Sequence, residues 1–175
     1  MLTKFLLALW LLGNSSPCTP KSNAVFMQMI DSQKGSFTTQ DPDDEWYGLP
    51  WHTLGVKEFK PFARIYNNPT LYVACAMEYM RDTTYNHRSK HFALLSMEKL
   101  PFKDCLKTLA LCYRLYKSGL IHEETLSEAL LLGFSESNVF DKNKGNPALV
   151  SILKKMASDK TLPTYMHKTI SRMLN

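Results

Sequence analysis

The chain has 175 residues, with 21 Lys plus Arg against 16 Asp plus Glu, a formal net charge of +5 and 45% hydrophobic residues. That size suits one folded domain, and the apolar content excludes a mainly disordered chain. Seven Gly, nine Pro and four Cys exclude a collagen-like chain and a disulfide scaffold, while the mild positive charge permits an acidic partner without requiring one.

Residues 1–18 read as a secretory signal peptide. Lys4 supplies the positive start, 5–13 form an uncharged run of nine residues, and Asn14-Ser15-Ser16 supply the small polar end. Such a run is too short to span hydrocarbon, which takes about 20 helical residues. Cleavage after Ser15 or after Cys18 satisfies the small-residue rule. Cys18 also invites lipidation, although Ser15 and Pro17 suit that signal poorly. The expected destination is secreted or periplasmic, with no membrane span in the mature chain.

Residues 19–69 are expected to form an irregular strap, punctuated by Pro20, Pro42, Pro50, Pro61 and Pro69 and carrying five basic against six acidic side chains. Its most unusual stretch is 41–52, where Asp43, Asp44 and Glu45 run into Trp46, Tyr47 and Trp51. Tyr and Trp offer large rigid contact area with a polar tip, so these six are candidate partner-binding residues. The alternative is a cover over one end of the helical body.

Residues 70–175 carry fifteen basic against ten acidic side chains and read as helical nearly throughout. The spacing predicts helices near 70–81, 87–99, 102–118, 122–133, 147–157 and 163–174. Asn68-Pro69 and Asn146-Pro147 look like N-cap and first-turn pairs, while Leu100-Pro101 and Leu162-Pro163 mark two more starts. Gly119 ends the third helix, and Glu123 and Glu124 suit the positive end of the fourth. Residues 71–77 and 105–113 are nearly free of charge and should be central, whereas the last two helices show one narrow apolar stripe each. The expected fold is therefore all-α, about six helices in antiparallel pairs, with a short HEAT-like helical-repeat stack as one form. A faint echo between 68–71 and 146–149 agrees with such pairing.

Candidate chemistry is sparse. His87 and His91 stand four apart on one helical face, the spacing of a two-histidine metal site. Arg88 and Lys90 would repel a cation, and no Glu follows His87, so a solvated polar face is preferred and no metal is expected. Cys105 and Cys112 lie about 10 Å apart along one helix, too far for a bridge that needs Cα atoms within about 7 Å. Cys75 paired with Cys105 or with Cys112 is the candidate disulfide, against three reduced core thiols. Residues 141–145 resemble the opening of a calcium loop, but two lysines intrude and a turn into the Asn146 cap explains them better. In the connection 134–145, Phe140 sits in a polar setting and joins the candidate contact residues.

No Gly-x-Ser-x-Gly, Cys-x-x-Cys or glycine-rich phosphate loop occurs, so no catalytic residue and no cofactor are expected. The basic residues are interleaved with acids, which argues against nucleic acid. The expected function is an exported, non-catalytic protein-binding module. Its most specific form is a periplasmic immunity or inhibitor protein neutralising a secreted toxic or lytic enzyme. The alternative is a small secreted hydrolase or ligand carrier with a pocket between helix pairs.

Overall fold

A computed structural model describes residues 17–32, 60–134 and 138–174. Among the described residues every regular element is helical. The eight α-helices are α1 (Pro20–Ser32), α2 (Lys60–Asn67), α3 (Val73–Arg81), α4 (His87–Leu95), α5 (Phe102–Lys117), α6 (Glu123–Leu131), α7 (Pro147–Ala157) and α8 (Thr164–Leu174). Short 3-10 turns occupy Pro69–Leu71, Leu132–Phe134 and Asp141–Asn143.

Within 19–69 the described residues, 19–32 and 60–69, are largely helical rather than the irregular strap that the prolines suggest. Thr19 caps α1, its hydroxyl accepting from Ser22 N–H at 3.1 Å, and Pro20 takes the first helical position. A proline there gives up no intrahelical hydrogen bond. Phe26, Met29 and Ile30 then bury one stripe, and Phe62, Ile65 and Tyr66 repeat the spacing on α2. The ring of Phe26 meets Tyr79 edge to face, and that of Phe62 meets Phe92, which draws both helices into the common core. Residues 1–16, where most of the expected signal peptide falls, lie outside the described residues, as do Asp43, Asp44, Glu45, Trp46, Tyr47 and Trp51.

The disulfide differs from expectation as well. Cys75 is bonded to Cys18, with Cα atoms 4.8 Å apart, while Cys105 and Cys112 are free and buried. Cys18 lies just before α1, and α1 packs against α3, which carries Cys75. The bridge uses the same sulfur that a lipid thioether would, so it and lipidation of Cys18 exclude each other.

The punctuated helices fall close to their expected ranges. Asn146 Oδ1 accepts from the N–H groups of Ala148 and Leu149 at 3.0 and 3.4 Å, and α7 starts at Pro147. Asn68 behaves differently: its side-chain amide donates back to the Arg64 carbonyl of α2, and Pro69 opens a 3-10 turn that leaves Leu71 62% exposed. Leu100 and Leu162 are buried under the starts of α5 and α8. Central α5 buries nine of its sixteen residues and contacts α3, α6 and α7. By contrast, α7 and α8 pack mainly on each other.

Phe140 is core rather than contact surface. It is 1% exposed, its ring meets Phe102 and Phe134 edge to face, and its N–H donates to the Gly133 carbonyl at 2.8 Å. Gly133 is required because a Cβ there would overlap the Phe140 ring. Among the described residues, no helix is long and apolar enough to cross a membrane.

Candidate functional site

Among the described residues, a group of titratable side chains lies where α4 meets α6. Asn86 caps α4 by accepting from Ser89 N–H at 2.8 Å, and this fixes His87, Lys90 and His91 along one face. On the opposite side, α5 ends in a left-handed turn at Gly119, φ +73°. There Gly119 N–H donates to Tyr116 and Leu120 N–H to Leu115, both at 2.9 Å, the paired bonds of a Schellman terminus. The chain then delivers His122 to the N-cap of α6.

Three contacts follow along the α4 face. The His87 and His122 rings stack at 3.4 Å between centroids and 14° between planes. Lys90, 1% exposed, donates from Nζ to the Leu120 carbonyl at 3.2 Å. One turn along from His87, His91 Nε2 lies 3.9 Å from Glu128 Oε2.

Burial dominates the electrostatics of this seam. It holds His87 below the ordinary histidine value, assisted by His122 and Lys90 and opposed by Glu124. It lowers His91 as well, with Glu124 acting in the other direction. Lys90 is lowered by burial against the pull of Asp82. Glu128 is pushed up to about 7 by burial and then by Glu98. Each of these shifts favours the neutral form.

Beside the seam opens a cleft of about 550 Å³, walled by the end of α5, the start of α6 and the α7–α8 turn. Tyr116, Lys117, Ile121, His122, Glu123 and Thr161 are among its lining residues. Tyr116 donates from its phenol to the Thr161 carbonyl at 2.8 Å, and Lys117 pairs with Asp159 at 2.9 Å, which fixes the far wall. His122 Nδ1 lies 4.0 Å from Glu124 Oε2 at the rim. The lining therefore presents a cation, carboxylates, an imidazole and a phenol close together, and contains neither Ser nor Cys. The thiols of Cys105 and Cys112 are pushed up to about 12, chiefly by burial, and are poor nucleophiles.

His87 and His91 are not brought together as paired ligands. One faces His122 and the other Glu128. Among the described residues no group of three or more His, Cys, Asp or Glu side chains is arranged to hold a metal ion. The sequence marks Lys90 only as a charge that would repel a cation and marks neither Glu128 nor His122 as a site residue. The legible signal was that Lys90 shares the i, i+3, i+4 face of His87 and His91.

No protein-family model matches the chain, and no curated protein or solved structure is similar enough to count as a match.

Proposed function

We propose that this protein is an exported, non-catalytic protein-binding module, and that its most specific role is that of a periplasmic immunity or inhibitor protein for a secreted toxic or lytic enzyme. The observation that carries export is the Cys18–Cys75 bridge. Disulfides persist in oxidising compartments and are rare in reducing ones. The bridge also narrows the processing, because cleavage after Cys18 would discard half of it; cleavage after Ser15 retains it.

The contact face in this reading is the cleft and its rim. Tyr116, Lys117, His122, Glu123 and Glu124 combine aromatic area with charges of both signs, which suits specific recognition of a folded protein. We further read the helices as consecutive antiparallel pairs, α5 with α6 and α7 with α8, in a short repeat-like stack. The close packing within those pairs and the contact of α4 with α6 support that arrangement.

A second reading, a carrier of a small polar ligand, is favoured by the volume of the same cleft and by His122 and Glu124 at its edge. One experiment separates the two. A panel of secreted toxic and lytic enzymes is titrated with the purified, oxidised protein and with its Tyr116→Ala/Lys117→Glu variant. Stoichiometric inhibition that the double variant weakens at least tenfold supports the inhibitor. No inhibition and no complex overturns it, and saturable uptake of a small polar molecule in the cleft would establish the carrier.

A further inference from the structure

We propose that the α4–α6 seam is an acid-sensitive clasp on the 118–122 loop: acidification separates the His87–His122 stack and frees the loop that lines the cleft. Three observations meet here. The two rings are only 3.4 Å apart, so a proton taken up by His87 sets a positive charge directly against the other ring. His87 Nδ1 is buried without a hydrogen-bond partner, so a proton added there finds no acceptor. Lys90 Nζ also holds the loop through the Leu120 carbonyl, beside the helix-end bonds of Gly119 and Leu120 N–H and the buried Ile121 side chain.

The surrounding charges do not offset this. Lys90, on α4 itself, and His122, from the start of α6, both oppose a positive His87, and Glu124 alone draws a proton to it. From the end of α3, Asp82 faces Lys90. From α1, Asp31 acts on Tyr79. From α8, Tyr165 lies by Glu123 and Glu124. Glu98 acts on Glu128, which retains its proton up to about 7 and so gives His91 no countercharge in acid. Because burial holds His87 below the ordinary value of 6.5, the open form takes up protons that the closed form refuses, and acid favours opening.

Any effect on partner binding rests on the binding role proposed above; the clasp itself does not, and its test uses no partner. Hydrogen exchange of the oxidised full chain is measured at pH 7.5 and 5.0, with rates corrected for the intrinsic pH dependence. Amides of 118–124 should exchange about tenfold faster at pH 5.0 while α7 stays unchanged. His87→Phe, which keeps a flat ring without a titrating proton, should bring that ratio close to one. His122→Phe should lower it part of the way, and His167→Gln, on α8, should leave the wild-type ratio. A wild-type ratio near one, a ratio that survives both Phe variants, or one abolished by His167→Gln overturns the proposal.

Discussion

Tyr113 donates a 2.7 Å hydrogen bond from its phenol to the Asp159 carboxylate, joining the last turns of α5 to the turn between α7 and α8. The same carboxylate receives Lys117 Nζ and both the N–H and the hydroxyl of Thr161. This acid, together with the Tyr116 bond to the Thr161 carbonyl, fastens the outer pair of helices to the central helix at the far wall of the cleft.

Asp159→Ala should destabilise the chain by about 1–3 kcal/mol, since it strips Tyr113 and Lys117 of their shared acceptor. Burial by itself would raise the Asp159 carboxyl, but hydrogen bonds from Tyr113, Lys117 and Thr161 outweigh it and hold the group well below the usual carboxylate range. Its contribution is therefore present above the unfolded carboxylate value of 3.8 and is lost as pH falls toward the depressed folded value. Urea melts of wild type and variant from pH 7 to pH 2.5 should show the gap between them narrowing at the acid end.

Glu128 carries the opposite sign. Its folded value of about 7 stands above the unfolded 4.5, so its contribution is complete below 4.5 and disappears as pH rises through 7. Glu128→Gln cannot ionise. The variant should match wild type near pH 4.5 and exceed it at pH 8 by up to about 3 kcal/mol, as read by thermal melts across that range.

Reduction of the Cys18–Cys75 bridge, which spans 57 residues, should cost about 2–4 kcal/mol by the entropy released to the unfolded chain. Cys75→Ser should reproduce the effect of dithiothreitol and should be insensitive to further reductant. In Cys112→Ser, reductant should still lower the melting temperature by the wild-type increment.

Gly133→Ala should cost about 1–3 kcal/mol through overpacking, because the added methyl displaces the buried Phe140 ring. Phe140→Ala should cost about 3–5 kcal/mol through the void it leaves. Both are checked by chemical denaturation, and neither should change partner affinity once the folded fraction is equalised.

The helices most legible in the sequence are those with capping chemistry at their ends. Asn146-Pro147 opens α7 at the expected residue, and Gly119 closes α5 at the expected turn. The helices α1 and α2 went unread for a physical reason. Pro20 and Pro61 look like breakers, yet both sit in the first turn, where a missing N–H has no intrahelical partner to lose. Phe26, Met29 and Ile30 carried the stripe all along. Assigning Cys18 to a removable leader hid the one cysteine that Cys75 reaches.

Phe140 and the histidine seam failed for a different reason. Periodicity assigns a side chain to a face, but it does not name the partner across that face. The ring of Phe140 is enclosed by Gly133, Phe134 and distant Phe102, and the seam joins α4 to residues about thirty positions further along. Only tertiary packing brings these groups together.

The claim that this is an exported, disulfide-locked domain is tested most directly by intact-mass and peptide mapping of the protein recovered from the cells that make it. The account predicts a chain whose N-terminus lies ahead of Cys18, with Cys18 linked to Cys75 and with Cys105 and Cys112 reduced. A chain that still begins at Met1 with four free thiols, or one cut after Cys18, would contradict it.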